Sequence, residues 1–217
     1  MTNPDYRHII MIVDRSGSMH ACKEATEEGI NGLFAGQAKD TGDGGWGTAS
    51  LYQFDTEHDV VFAQVPLAEV PAYRLVPRGG TALLDAIGFA FAREGEWLAS
   101  LEEHQRPDTV IAVIATDGME NSSREFNRPQ IQEIITHQQD VYNWRLLFIG
   151  ANMDAVKVAT SYGIPAQQAM TYRASPAGAA SSLDSVHSAL TRGRAGQGYG
   201  FTPAERAAAL SDGDESA

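Results

Sequence analysis

The sequence predicts a doubly wound α/β fold: a mostly parallel sheet of about six strands, an antiparallel strand at one edge, and helices on both faces. Three observations carry this. First, His8–Val13, Thr109–Ala115 and Arg145–Ile149 are near-continuous apolar runs rich in β-branched residues, as expected of strands covered on both faces. Second, stretches with helical periodicity separate these runs, and strands alternating with helices wind an open sheet on both sides. Third, Thr48–Phe54 and His58–Ala63 flank the short turn Asp55-Thr56-Glu57 and read as a hairpin, which supplies the antiparallel edge.

The helical stretches follow in order. His20–Lys39 carries Ala25, Ile30, Leu33 and Phe34 at helix-compatible spacing. Ala82–Leu101 stacks Leu83, Leu84, Ile87, Phe91, Leu98 and Leu101 along one side. Pro129–Gln139 presents Ile131, Ile134 and Ile135 on one face, with Pro129 suited to a first turn. Asp154–Tyr162 is shorter and is stopped by Gly163. A weaker strand is expected near Gln168–Tyr172, then a helix over Ser175–Arg194 with Leu183, Val186 and Leu190 apolar. The glycine-rich residues 193–200 read as linker, Pro203–Leu210 as a short Ala-rich helix, and Asp212–Ala217 as an acidic tail. This divides the chain into a domain over residues 6–172, a helical extension over 173–194 and a flexible tail over 195–217.

Composition narrows the function. The chain has 217 residues, 43% of them hydrophobic, so it can bury a real core. A formal net charge of −12 repels phosphate backbones, which argues against nucleic-acid binding and docking on anionic membranes. One cysteine, Cys22, allows no internal disulfide and no cysteine-rich metal site. No apolar stretch approaches a membrane span, and the first residues lack a secretory pattern. The expected location is therefore cytoplasmic, or virion-associated if the chain is phage-encoded. The six histidines lack the His-Glu-x-x-His spacing of zinc hydrolases, and neither a phosphate-binding P-loop nor a Gly-x-Ser-x-Gly elbow is present.

The residues that carry chemistry begin directly after the first buried run, with Asp14-Arg15-Ser16-Gly17-Ser18-Met19. Ligands of open α/β sheets bind beyond the carboxyl ends of strands, where this loop lies. Oxygen-bearing side chains at alternate positions converge on one point if the loop curls, and they suit a hard cation such as Mg²⁺, Mn²⁺ or Ca²⁺. Taken alone, the loop serves equally well as a strand end and helix cap. Two further segments weigh toward metal. Gly79-Gly80-Thr81 sets a hydroxyl at the start of the long helix, and Thr116-Asp117-Gly118 sets a second carboxylate beyond the second buried run. If those two strands are neighbours, Asp14 and Asp117 face each other, and two close carboxylates repel unless a cation or proton lies between them.

Together, Asp14-x-Ser16-x-Ser18, Thr81 and Asp117-Gly118 resemble the metal-ion-dependent adhesion site of von Willebrand factor A (vWA) domains, over roughly residues 6 to 172. The resemblance implies a Rossmann-like sheet and one divalent ion, usually Mg²⁺. It implies that Ser16, Ser18 and Thr81 touch the ion while Asp14 and Asp117 act largely through bound water. A remaining position would accept an Asp or Glu carboxylate from a protein partner. Phe148-Ile149-Gly150-Ala151-Asn152-Met153-Asp154 and Gly163-Ile164-Pro165 are similar to bacterial and phage members of the family, with Asn152 and Asp154 read as shaping and capping a turn.

Adjacency to these ligands makes Met19, His20, Arg78, Met119, Glu120, Asn121 and Ser122 the expected rim, with Arg15 read as a solvated side chain. Three functions compete. A binding module explains a full ligand set without a general base or nucleophile. A Mg²⁺-dependent phosphoryl hydrolase would use Asp14 as nucleophile or base but finds only Arg15 and Arg78 to hold phosphate. In the third, the metal only organises loops and the C-terminal region makes the contacts, with Tyr199 and Phe201 docking elsewhere, including on another copy of the chain.

Overall fold

The computed structural model describes residues 1–40 and 46–211. Among the described residues six strands form one sheet in the order β3-β2-β1-β4-β5-β6. They are β1 (Asn3–Asp14), β2 (Trp46–Phe54), β3 (His58–Pro66), β4 (Pro107–Thr116), β5 (Arg145–Ala151) and β6 (Ala169–Tyr172). The β2–β3 pair is antiparallel and every other pairing is parallel, so the hairpin supplies the antiparallel edge. The helices are α1 (Lys23–Asp40), α2 (Leu83–Ser100), α3 (Arg128–Tyr142), α4 (Ala155–Ser161), α5 (Pro176–Arg194) and α6 (Pro203–Leu210).

Strand pleating divides the core in two. Ile9, Met11 and Val13 of β1 face α1 and α5, where they meet Ile30, Phe34, Leu183 and Val186. Ile10 and Ile12 face the opposite layer, with Leu83, Ile87 and Phe91 of α2 and Ile131 and Ile135 of α3. The α1–α5 contact is close because Gly29 and Gly36 carry no side chain, and Leu183 and His187 occupy the space a Cβ would need.

The second layer also encloses a polar cluster. The imidazole Nε2 of His8 lies 3.1 Å from Glu94, its Nδ1 lies 2.7 Å from the Thr48 hydroxyl, and Tyr52 donates to Glu94 at 2.7 Å. Gln64, held at φ 54° in the β2–β3 irregularity, donates to the same carboxylate at 3.1 Å. Burial pushes the Glu94 carboxyl up, but the His8 hydrogen bond and charge, with Ser50 and Tyr52, outweigh it and hold the group below its ordinary value.

The C-terminal region departs from the flexible tail expected over 195–217, as far as residue 211. Phe201 and Ala209 are buried in the α1/α5 core, and Tyr199 packs against it. Thr202 and Glu205 form a reciprocal capping box that starts α6, and both Arg192 terminal nitrogens reach Glu205, at 2.6 and 2.9 Å. Residues 212–217, expected as the acidic tail, lie outside the described residues. No helix among the described residues is long and apolar enough to cross a membrane.

Candidate metal centre

Strands β1 and β4 are adjacent and parallel, with Val13 beside Ala115, so Asp14 and Asp117 leave the sheet side by side. Both are buried. Asp14 ends β1 and is fixed by the Ser16 amide and the Thr116 hydroxyl, each donating at 2.6 Å. The chain then enters a 3₁₀ turn (Gly17–Cys22) rather than an α-helix, and α1 begins only at Lys23. The turn brings the Ser16 and Ser18 hydroxyls within 3.0 Å of each other, and Ser18 donates to Asp117 at 2.6 Å.

Thr81 arrives from the third segment. Gly79 adopts φ 66°, a left-handed conformation that a side chain would strain, and its carbonyl accepts from the Gly17 amide at 3.2 Å. The loop then delivers the Thr81 hydroxyl to 3.1 Å from the Cβ position of Gly118, a position 3.8 Å from the Ser18 hydroxyl. Asn121 and Ser122 clamp Thr81: their amides donate to its carbonyl at 3.0 and 3.2 Å, and the Asn121 side chain accepts from its amide at 3.0 Å. Two carboxylates and three hydroxyls from three distant parts of the sequence thus converge beyond the β1 and β4 ends.

Electrostatics fit a cation here. Burial pushes the Asp14 carboxyl up to about 6 against the Thr116 and Ser16 hydrogen bonds, and repulsion from Asp117 adds to the rise. Burial likewise raises Asp117. A divalent ion would relieve both carboxylates, and an all-oxygen set dominated by hydroxyls suits Mg²⁺ or Mn²⁺. Among the described residues no group of three or more His, Cys, Asp and Glu side chains could hold a metal, which sets this hydroxyl-rich arrangement apart from zinc-type clusters.

The expected rim is only partly a surface. His20, Arg78, Met119 and Asn121 are exposed. Met19 is not: it is 1% exposed and belongs to the core beneath the loop, because the 3₁₀ turn rotates it inward. Glu120 is engaged structurally, accepting from the Leu84, Ser122 and Ser123 amides at the start of α2. Arg15, expected in solvent, is buried. Its Nε donates to Asp55 at 2.7 Å, and Asp59 lies 2.6 Å from its Nη2. Arg78 donates to Asp55 at 2.6 Å and to Glu57 at 2.7 Å. Burial opposes ionisation of Asp55, but Arg78, the Glu57 amide and Arg15 hold its carboxyl below the ordinary value. Cys22 is buried and burial pushes its thiol up, so it is a packed side chain.

Three supports escaped the sequence reading. Thr116 orients Asp14; Asn152, at φ 54°, donates to the Asp117 carbonyl at 3.1 Å; and Tyr172 reaches the Thr116 carbonyl at 3.5 Å. Asp154 caps α4, as expected. The Asn152 role had one available signal, an Asn in a tight turn directly beyond a buried strand, where left-handed backbone is common.

The overall structure matches those of known proteins. A von Willebrand factor type A protein from Catenulispora acidiphila superposes with a TM-score of 0.57 at 17% identity, covering 85% of this chain and 42% of that one. The chain has the von Willebrand factor A fold. Manganese-loaded TRAP protein from Plasmodium vivax matches with a TM-score of 0.56 at 15% identity, covering 81% of this chain and 71% of that one. Proximal thread matrix protein 1 from the mussel byssus, with a zinc-occupied MIDAS motif (the metal-ion-dependent adhesion site), also gives a TM-score of 0.56, at 14% identity over 86% of this chain and 46% of that one. This vWA-fold chain therefore spans less than half of the Catenulispora and mussel proteins. No protein-family model and no curated protein matches its sequence.

Proposed function

We propose that this chain is a metal-dependent protein-binding module. Asp14, Ser16, Ser18, Thr81 and Asp117 would hold one divalent ion, Mg²⁺ by preference, with Mn²⁺ and Ca²⁺ as substitutes. The observation that carries the reading is the pairing of two buried carboxylates with three converging hydroxyls beyond the adjacent β1 and β4 ends. When bound, the ion supplies an electrophilic centre, little neutralised by direct carboxylates, that gains by accepting a partner's Asp or Glu oxygen. The chain's own residues set the geometry. Thr116 and the Ser16 amide orient Asp14, Asn152 anchors the Asp117 backbone, and Asn121 with Ser122 fixes Thr81.

A specific observation favours binding over phosphoryl hydrolysis. Arg15 and Arg78, the two cations near the loops, are both committed to Asp55 and its acidic neighbours, and so are poorly disposed to hold a phosphate. The proteins it resembles in fold include a manganese-loaded and a zinc-occupied form, which supports a divalent ion at the equivalent place.

The test is calorimetric titration of chelator-treated protein with Mg²⁺ and Mn²⁺ beside the Asp14→Ala variant, followed by peptides bearing a single Asp, with and without chelator. One saturable site lost in the variant, with peptide binding only in the presence of metal, is expected. Absence of metal binding in the wild-type chain would overturn the reading.

A further inference from the structure

A charged cluster lies at the pole opposite the metal centre, where the parallel strands β1 and β5 begin and where α1 and α5 end. Its centre is Arg7. On β1 this residue shares a face with Ile9, Met11 and Val13, so it points into the α1/α5 layer. Arg7 is only 8% exposed, and neither of its terminal guanidinium nitrogens has a hydrogen-bond partner among the described residues. Arg194 at the end of α5, Asp40 at the end of α1 and Tyr199 all act on its charge. Tyr199 in turn feels Arg145, the first residue of β5.

A buried guanidinium without a partner is costly, and buried polar groups in folded proteins are almost always satisfied. The carboxylates near this cluster are engaged elsewhere. Asp40 accepts from the Thr191 hydroxyl at 2.7 Å, and Asp108, which acts on Tyr199, accepts from the Thr2 hydroxyl at 2.6 Å. Burial, with repulsion from Arg194, pushes the Arg7 guanidinium below its ordinary value, and Asp40 offsets this only in part. Ordered water satisfies donors but leaves the charge unbalanced. Three guanidiniums against two carboxylates also make this a positive spot on a chain of net charge −12.

We propose that the cluster is an oxyanion-binding site, with Arg7 as its buried anchor, and that it takes a phosphate group. A carboxylate has two oxygens and is filled by the fork of one guanidinium. A tetrahedral phosphate keeps oxygens for Arg194, Arg145 and the Tyr199 hydroxyl as well. Arg194 is exposed and Tyr199 half-buried, so these two form the surface side of the site. Entry requires Tyr199 to shift. The turn that carries it holds Gly196 at φ 73° and Gly198 at φ 87°, with open space at both Cβ positions.

The test is titration of the full chain with inorganic phosphate, phenyl phosphate and acetate, by calorimetry and by amide NMR, beside Arg7→Met and Arg194→Gln. Chelator keeps the metal centre silent, and about 0.15 M chloride screens exposed charges. Phosphate is expected to bind wild type saturably, shifting the amides of Arg7, Arg194 and Tyr199 and not those of Asp14 and Asp117. Arg7→Met should weaken binding about 10-fold or more, because charge-assisted hydrogen bonds are lost. Arg194→Gln, an exposed change that leaves the core intact, should weaken it about 3-fold. Acetate should bind about 10-fold more weakly than phosphate. In chloride alone Arg7→Met should melt no lower than wild type, and added phosphate should raise the midpoint of wild type only. Tighter binding of inorganic phosphate than of phenyl phosphate assigns a free ion, and the reverse a monoester; each supports the site. A lower midpoint for Arg7→Met in chloride means that the chain supplies its own counter-ion and overturns the inference. Shifts that do not saturate, or that Arg7→Met and Arg194→Gln both leave unchanged, overturn it too. Acetate binding as tight as phosphate overturns the assignment to phosphate.

Discussion

Replacing Asp14 by Asn should stabilise the metal-free protein at neutral pH while abolishing its response to metal. The magnitude follows from burial. Asp14 is fully buried, and its carboxyl is raised from 3.8 to about 6. The sign is fixed by linkage. A folded-state pKa above the unfolded value means that the fold favours the protonated form. The penalty is therefore absent below about pH 4, grows as pH rises toward 6 and is complete above it. A rise of roughly two units at about 1.4 kcal/mol each gives a penalty of ~3 kcal/mol at pH 7. Asn carries no charge and still accepts from the Ser16 amide, so Asp14→Asn should recover about 1–3 kcal/mol, the lower end covering an imperfect Thr116 contact. The assay is urea unfolding in chelator at pH 4 and pH 7, repeated with saturating Mg²⁺. The variant should exceed wild type at pH 7 in chelator and match it near pH 4. Added Mg²⁺ at 100 times its dissociation constant should raise wild type alone, by about 2.7 kcal/mol. A variant less stable than wild type at pH 7 in chelator would refute the reasoning, because it would mean that Asp14 is a net stabilising anion even without metal.

Other substitutions probe separate parts. Glu94→Ala leaves His8 and Tyr52 without their partner and should cost about 3–5 kcal/mol in urea unfolding. Because the Glu94 carboxyl is held below its ordinary 4.5, its contribution is present above that pH and lost as acid takes the pH through the folded value; a pH titration of unfolding compared with Glu94→Gln checks this. Gly178→Ala forces a methyl group against the main-chain carbonyl of Arg173 and should destabilise by about 1–3 kcal/mol, with the loss read as a lower thermal midpoint. Arg192→Met removes a bidentate partner of Glu205, and faster amide exchange confined to residues 200–210 would identify it as the pin that holds α6.

The sheet was legible because its strands are buried on both faces, which leaves continuous apolar runs in the sequence. The convergence of the five proposed ligand residues was legible because alternation within one loop, a hydroxyl before one helix and a carboxylate after one strand are local patterns. What escaped was mostly nonlocal. Nothing near Arg15 announces Asp55, forty residues on, so a buried ion pair read as a solvated side chain. Met19 was placed on the rim by adjacency alone, and the 3₁₀ turn that follows Ser16 buries it. Two signals were available but unread. Glu94 falls on the apolar stripe of α2, between Phe91 and Leu98, and a charge there demands a buried partner. The helix over Pro203–Leu210 was expected, but its capping box, Thr202-Pro203-Ala204-Glu205, also argued against placing it in a flexible tail.

The seating of α5 and α6 has a consequence for anyone who would cut the gene. Residues 176–210 share the cover of one side of the sheet with α1, and α1, which follows the Asp14–Ser18 loop, leans on α5 through Gly29 and Gly36. A fragment ending at residue 172, where the family resemblance stops, would bare Met11, Leu147 and Met170 to water and leave α1 without its neighbour. Such a fragment should be recovered as aggregate. The smallest expressible unit therefore runs to the end of α6.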